Sequence, residues 1–171
     1  VVEIGCHKGI TLLAMAARHP DTAFIGIDIT FKRVVTTAER SVAAGLKNVF
    51  CVMANANGLD QLFAPGELDG VVLFFPDPWV TKKRQAKHRL VSEQFCEKLA
   101  GCLSKDGFLW LKTDQKVYFD AASEHLVAKQ FVPSSDECWL GSDFTSAFEQ
   151  RFHAQQLPTY GARWLKPPML Y

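Results

Sequence analysis

Short, almost continuous apolar runs alternate along this chain with longer segments in which apolar residues recur every three or four positions. The short runs predict strands that are buried on both faces, as in a parallel sheet. They lie at 1–4, 23–27, 49–53, 71–75 and 108–111. The longer segments predict amphipathic helices. These lie at 10–18, 32–44, 93–103 and 119–129.

This alternation of strand and helix predicts a single domain, 1–171, with an α/β fold: a doubly wound, mostly parallel sheet. Right-handed crossovers bring the carboxyl ends of parallel strands to one edge, where ligands bind. Several polar residues or glycines come just after predicted strands, namely Gly5, Asp28, Asn55, Asp77 and Asp114. We therefore expect a ligand site at that edge. The Pro-rich tail, 158–171, is expected to be irregular, with at most one edge strand.

Composition changes this picture little. The 171 residues are 48% hydrophobic and 22% charged, which is an ordinary globular balance and excludes a disordered or fibrous protein. The net charge of +1 means that any binding of nucleic acid requires a local basic patch. Because the chain opens without Met and directly in a strand-like run, we expect further N-terminal residues in the native protein.

The cysteines indicate a reducing compartment. None of the five belongs to a C-x-x-C pair, and most lie in apolar runs: Cys6, Cys51, Cys96, Cys102 and Cys138. This pattern predicts buried thiols in a cytoplasmic protein, with neither a metal site nor a disulfide framework. The sequence contains no signal peptide and no apolar stretch long enough to cross a bilayer, so no membrane association is expected.

The first predicted strand runs into a turn with glycines at Gly5 and Gly9, a spacing that suits a tight loop against a ligand. The dinucleotide fingerprint G-x-G-x-x-G is not met, which disfavours a nicotinamide dehydrogenase. Asp28, about 20 residues further on, is placed to accept the hydroxyls of a ribose. Asn55 is placed to bind an adenine edge. Each has a structural alternative: the glycines as a tight turn without a ligand, Asp28 as a competitor of Thr30 for the N-cap of the next helix, and Asn55 as an ordinary turn residue.

Together these residues suit an adenosine-containing ligand without phosphates, because the chain has no full phosphate cradle. S-adenosylmethionine fits that description. Glu3 would then face the cationic methionine end of the cofactor.

The most distinctive segment is Phe-Pro-Asp-Pro-Trp at 75–79, followed by a basic run. Pro76 and Pro78 restrict the backbone around Asp77 and so aim its carboxylate at the carboxyl edge. Trp79 either stacks on a base or fills a core gap. The basic residues suit successive RNA phosphates, although a solvated surface is the plainer interpretation. They are Lys82, Lys83, Arg84, Lys87 and Arg89.

At these motifs the chain resembles the tRNA (guanine-N7)-methyltransferases, a family of class I S-adenosylmethionine-dependent enzymes with a Rossmann-like fold. Besides 75–79, the resemblance covers Glu-Ile-Gly at 3–5, Phe-Ile-Gly-Ile-Asp at 24–28, Asn-Ala at 55–56 and Thr-Asp at 113–114. It ends with Ser-Ala-Phe-Glu-Gln-Arg at 146–151, which is similar to the family's Thr-x-Phe-Glu-x-Arg. The resemblance implies methylation of N7 of a guanosine in the tRNA variable loop.

The predicted roles follow from the residues and the resemblance together. The predicted cofactor-binding residues are Glu3, Gly5, Gly9, Asp28, Asn55 and Asp77, and Asp77 is also the predicted catalytic carboxylate. The resemblance implies substrate binding by Lys82, Asp114, Ser146, Phe148 and Glu149. The tRNA phosphate contacts are predicted at Lys83, Arg84, Lys87 and Arg89.

Some positions depart from the family pattern. His7 stands where a third glycine is usual, Asp28 where Glu is commoner, and Ser146 where Thr is usual. One extra residue after Trp79 leaves Lys82 and Lys83 as alternatives for the substrate lysine. His7 favours the competing hypothesis of a weak or inactive RNA-binding relative. A small-molecule methyltransferase is disfavoured by the basic run, and a monomer and a homodimer both remain open.

The residue types suit the implied chemistry. Guanine N7 carries a free lone pair, so methyl transfer needs positioning and electrostatic stabilisation more than a base. Methylation leaves a cationic ring, which a carboxylate at Asp77 would stabilise. Guanine N1–H and N2–H are donors that the carboxylates of Asp114 and Glu149 would accept. A base within folded tRNA has to leave its stack to reach such a site.

Overall fold

The computed structural model describes residues 1–79, 83–135, 139–141 and 144–166. Within them the strands are β1 (Val2–Ile4), β2 (Phe24–Asp28), β3 (Val49–Met53), β4 (Leu68–Phe74), β5 (Leu103–Thr113), β6 (Val132–Ser134) and β7 (Tyr160–Leu165). The helices are α1 (Ile10–Arg18), α2 (Phe31–Ala43), α3 (Leu59–Leu62), α4 (Glu93–Cys102), α5 (Lys116–Ala128) and α6 (Ala147–Ala154). Short 3₁₀ helices lie at Ala56–Gly58 and Lys83–His88.

In the part of the chain that the structure describes, the strands form one sheet in the order β3-β2-β1-β4-β5-β7-β6. Strands β1 to β5 are parallel, while β7 pairs antiparallel with both β5 and β6. The strand order reverses between β1 and β4, which is where ligands bind in doubly wound sheets. We call the edge of the sheet at which β1, β2, β4 and β5 end the carboxyl edge.

Apolar side chains cover both faces of the sheet. Leu12 and Met15 of α1 are buried in one cluster with Phe24 and Val72 of the strands. A second cluster joins α4 and α5 to β4 and β5, and contains Phe95, Leu99, Tyr118 and Leu126. Each fully buried side chain of this size contributes about 1.5–3 kcal/mol. These two layers fix the sheet, and with it the positions of the loops at the carboxyl edge.

The predicted doubly wound α/β fold is confirmed, with three corrections. Strands β4 and β5 and helix α5 are longer than predicted, since β4 begins at Leu68 and α5 at Lys116. The prediction that 49–53 is buried on both faces is wrong, because β3 ends the sheet and Phe50 is 55% exposed. The tail strand, β7, is not at an edge: β5 and β6 pair with its two sides.

Candidate active site

The loop between β1 and α1 turns through three left-handed residues. Gly5 has φ +74°, His7 φ 51° and Gly9 φ +72°. A Cβ on Gly9 would lie 2.5 Å from Cγ2 of Thr37, so only glycine fits there. Histidine tolerates the left-handed region better than most residues, which accounts for His7 at a position where the family usually has glycine. The loop is therefore tight, and the exposed His7 side chain points away from the core.

Asp28 ends β2 and joins the loop after β1 to the start of α2. Its Oδ1 accepts the backbone N–H of Thr30 at 2.9 Å, and its Oδ2 accepts that of His7 at 3.2 Å. Arg33 of α2 adds an ion pair at 3.5 Å. Asp28 is thus not the N-cap residue, since Thr30 takes that position in α2. Its buried carboxylate lies at the carboxyl edge, where the predicted ribose would lie.

Asn55 lies two residues beyond β3 and begins the 3₁₀ helix Ala56–Gly58. Its Oδ1 accepts the backbone N–H of Asn57 at 3.0 Å. Asn55 therefore does have the turn role that was the alternative to binding adenine. The residue is exposed at the same edge as Asp28, so a role toward adenine remains a prediction.

Glu3 lies in the middle of β1 and is only 5% exposed. The backbone N–H of Leu12, in the first turn of α1, donates to its carboxyl group, and burial raises its pKa to about 8. Among the described residues its Oε2 has no hydrogen-bond partner. An unpartnered buried carboxyl oxygen costs free energy unless a donor or cation reaches it. Glu3 is therefore suited to a cationic ligand.

The loop that carries Asp77 is held on one side by an aromatic stack. Phe75 follows β4 with φ 53°, and its backbone N–H donates to the carbonyl of Lys112 at 2.7 Å. Its ring stacks on two rings of α6, with centroids 6.1 Å from Phe148 and 6.0 Å from Phe152. Both pairs are nearly parallel, at 20° and 5°. This stack fixes α6 against the end of β4.

The other side of this loop is held by Arg89, whose Nε donates to the carbonyl of Pro78 at 3.0 Å. The Arg89 guanidinium also lies 5.8 Å from the centroid of the buried Tyr118 ring. Asp77 is exposed between these two supports. Arg89, predicted as a phosphate contact, therefore has a structural role in addition to any role toward tRNA.

The basic run falls partly outside the described residues. Lys82 lies outside them, as does the side chain of Lys83, so the choice between these two lysines stays open. Arg84 and Lys87 are exposed on the 3₁₀ helix Lys83–His88. Trp79 is 39% exposed, and its ring lies 5.5 Å from that of His88.

The two remaining predicted substrate segments lie at the end of β5 and the start of α6. Asp114 directly follows β5 and accepts a hydrogen bond from Nε2 of Gln115 at 2.6 Å. Ser146 is the N-cap of α6, and its Oγ accepts the backbone N–H of Glu149 at 3.1 Å. Phe148 is 52% exposed, whereas Glu149 is buried and both its oxygens accept from Lys112 Nζ.

Comparison with known proteins then decides the family. Over residues 1–162 the chain matches a family model described as "Putative methyltransferase". It is 34% identical to the tRNA (guanine-N(7)-)-methyltransferase of Geobacillus kaustophilus, over 98% of this chain and 79% of that protein. It is 35% identical to the protein of the same name from Geobacillus thermodenitrificans, with the same coverage. This chain belongs to the tRNA (guanine-N7)-methyltransferase family.

The fold of this methyltransferase has relatives well beyond its own family. A crystal structure of a SAM-dependent methyltransferase from Aquifex aeolicus superposes with a TM-score of 0.65 at 12% identity, covering 96% of this chain and 80% of that one. The predicted Rossmann-like sheet of the class I methyltransferase type is thereby confirmed. The family depends on S-adenosylmethionine, and contacts of Glu3 and Asp28 with its cationic and ribose ends stay predictions.

Two residues of this methyltransferase that pair with predicted site residues were not identified from the sequence. Arg33 pairs with Asp28, and Lys112 binds Glu149. A lysine directly after the apolar run at 108–111 was a signal for the second of these, because a lysine in a buried strand needs a partner. The sequence carried no comparable signal for Arg33, which lies on the exposed side of a helix.

Of the described cysteines, Cys6, Cys96 and Cys102 are buried as predicted, whereas Cys51 is only half-buried. Cys6, Cys51, Cys96 and Cys102 are free, and burial raises the pKa of Cys6 and of Cys96 to about 12. Cys138 lies outside the described residues. Within the described ranges no cluster of three metal-binding side chains occurs, and no helix there is long and apolar enough to span a membrane.

We predict that Glu3→Gln flattens the pH dependence of stability in the cofactor-free protein. Glu3 has a raised pKa in the folded state, so the folded state holds a proton that the unfolded state loses above about pH 4.5. Its stabilising contribution is complete below that pH and is lost as the pH rises to about 8. The free energy of unfolding should fall by up to about 1.4 kcal/mol per pH unit across this window.

Urea unfolding at pH 5, 6.5 and 8 measures this slope in the parent, in Glu3→Gln and in Glu124→Gln, which changes an exposed carboxylate. Only Glu3→Gln should lose the slope. Parallel lines for the parent and Glu3→Gln would mean that Glu3 is already ionised in the folded protein.

Proposed function

We propose that this protein transfers the methyl group of S-adenosylmethionine to N7 of a guanosine in tRNA, with the variable loop as its target. One observation in the structure carries the proposal. The Asp77 carboxylate is exposed at the carboxyl edge, on a loop fixed by Phe75 on one side and Arg89 on the other. The names of the relatives supply the substrate.

The bound cofactor supplies a methyl group on a sulfonium, which is already a good leaving group. The protein has to hold guanine N7 in line with that methyl group and to stabilise the charge that develops on the ring. Asp77 is the proposed source of this stabilisation, since its loop is fixed before the substrate arrives. No side chain has to remove a proton, because N7 carries a free lone pair.

The proposed base contacts are Asp114 and the first turn of α6. Asp114 is half-buried at the end of β5, and its carboxylate suits the N–H donors of guanine. Phe148 presents an exposed ring on which a base extruded from its stack can lie. Ser146 caps the helix that carries Phe148, so its proposed effect on the substrate is indirect: it stabilises the start of that helix.

The reaction is tested with tritium-labelled S-adenosylmethionine and an unmodified tRNA transcript, followed by nucleoside analysis. We expect label in 7-methylguanosine, and a transcript with the variable-loop guanosine replaced by adenosine should remain unlabelled. Binding of the transcript without methyl transfer would instead support the RNA-binding relative. Calorimetry with S-adenosylmethionine separates that outcome from inactive enzyme, since a relative that has lost the cofactor site shows no heat of binding.

The proposed partner is tRNA, and Arg84 and Lys87 are the described residues that we expect to contact its phosphates. The double variant Arg84→Ser/Lys87→Ser should reduce the salt slope of tRNA binding by up to about two units of log K per log salt. Fluorescence anisotropy between 50 and 300 mM KCl measures the slope.

Lys47→Ser/Lys105→Ser is the matched control, since both lysines are exposed near the amino ends of β3 and β5. This control should keep the slope of the parent. A common slope for all three proteins would mean that Arg84 and Lys87 are solvated surface residues that do not contact tRNA phosphates.

We further propose that the protein acts in the cytoplasm, where reduced thiols and tRNA occur together, as a monomer or a homodimer. Light scattering with and without tRNA distinguishes the two assemblies.

A further inference from the structure

Lys112 of β5 is the centre of a buried polar cluster next to the candidate active site. Its side chain is 12% exposed, and that of Glu149 is 9% exposed. Lys112 Nζ donates to Glu149 Oε2 at 2.8 Å, to Glu149 Oε1 at 3.0 Å and to the carbonyl of Phe144 at 2.8 Å. An ammonium group has three hydrogens, so these contacts use its full donor capacity.

The sheet around Lys112 accommodates this arrangement. Nζ lies 5.0 Å from the centroid of the Phe74 ring and 4.9 Å from that of Trp110, so aromatic faces stabilise the cation from the sheet side. On β7, Gly161 lies opposite Lys112, and a Cβ there would be 3.1 Å from Lys112 Cγ. The missing side chain at Gly161 leaves the space that the lysine stem occupies.

Glu149 stands at the third position of α6, after the Ser146 N-cap. In a capping box the side chain at this position turns back to the N-cap backbone. Here both carboxylate oxygens are bound to Lys112, so the side chain joins the helix to the sheet. The same helix carries Phe148 and Phe152, which stack on Phe75 and so support the Asp77 loop.

We infer that Lys112 is a positioning residue, and that Glu149 acts through it: the buried ion pair holds α6 at the carboxyl edge so that Phe148 and the Asp77 loop face the substrate. This inference rests on the proposed methyl transfer for its effect on catalysis. It differs from direct recognition of guanine by Glu149, because the carboxylate is buried and already bound to a cation.

A double-mutant cycle with Lys112→Met, Glu149→Met and the double variant tests the inference. Removing one partner leaves the other charge buried and uncompensated, whereas replacing both with apolar side chains is often close to neutral. We expect each single variant to lower kcat/KM for tRNA by about tenfold, through a displaced α6. The double variant should recover most of that loss.

Hydrogen–deuterium exchange over 146–154 supplies a readout that does not depend on methyl transfer. Both single variants should lose protection in α6 but keep it in α4, and methyl transfer should follow the protection of α6 across all four proteins. Lys129→Met is the control, because it removes an ion pair with Glu93 and Glu97 far from α6. It should change neither readout.

Two results would overturn the inference. One is unchanged protection of α6 in Lys112→Met. The other is a double variant with a protected α6 and the low activity of Glu149→Met, which would show that Glu149 contacts the base itself. If the parent protein transfers no methyl group to tRNA, the proposed function fails, while the exchange data still decide whether the ion pair anchors α6.

Discussion

Asp77→Asn is expected to lower kcat for tRNA methylation by roughly 10²–10³-fold, the effect of deleting one preorganised electrostatic group. The substitution keeps the size of the side chain and much of its hydrogen bonding, but removes the charge that opposes the developing guanine cation. Because the charge acts mainly in the transition state, the affinity for tRNA should change much less. Single-turnover rates with excess enzyme measure the chemical step directly.

The fold should survive Asp77→Asn, because the residue is exposed and its loop is held through Phe75 and Pro78. Asp106→Asn is a matched control: it neutralises an exposed carboxylate near the amino end of β5, at the opposite edge of the sheet. The control should react at the rate of the parent. A folded Asp77→Asn protein with that same rate would show that Asp77 only shapes the turn.

Asp28→Ala should weaken the binding of S-adenosylmethionine by about 10- to 100-fold and leave the affinity for tRNA nearly unchanged. The ribose hydroxyls would lose a charged acceptor, and this interaction as a whole contributes about 1.5–3 kcal/mol. Isothermal titration calorimetry with S-adenosylmethionine and with S-adenosylhomocysteine measures this loss. Both ligands should weaken equally, because they share the ribose.

Asp28 also orders the loop, since it accepts the backbone N–H groups of His7 and Thr30. Thr37→Val controls for this second role, because it removes the hydrogen bond from Thr37 Oγ1 to the His7 carbonyl and leaves the carboxylate in place. We expect Thr37→Val to cost much less cofactor affinity than Asp28→Ala. Equal losses in the two variants would assign the effect to loop order and would remove Asp28 as the ribose acceptor.

The local spacing of apolar and polar residues predicted most of the strands and helices, because each of them is one continuous stretch of the sequence. The helix from Ile10 to Arg18 and the strand from Val49 to Met53 have the predicted bounds, since periodicity and flanking turn residues mark both. Helix α6 was not predicted. It has only eight residues, and what holds it in place is contributed from elsewhere in the chain: Lys112 on β5 and Phe75 after β4.

The periodicity of apolar residues did not predict which strands are neighbours in the sheet. The apolar runs at β1 and β3 look alike in sequence, yet β1 is buried between β2 and β4 while β3 ends the sheet. Strand β7 shows the reverse case: the tail was expected at an edge and lies between β5 and β6. Strand order depends on which crossovers bring elements together, and that is a property of the whole chain.

Local sequence features were enough to predict the fold class, the family and the residues that follow the strands, because glycines, prolines and carboxylates at strand ends are recognisable without the fold. The contacts of those residues depend on how the whole chain folds. In the folded chain Asp28 accepts the backbone N–H of His7, 21 positions away, and Glu149 binds a lysine 37 positions away, while Glu3 Oε2 has no partner among the described residues. Such contacts join segments that are distant in the chain, so their energy depends on burial and on distances that exist only once the sheet has formed.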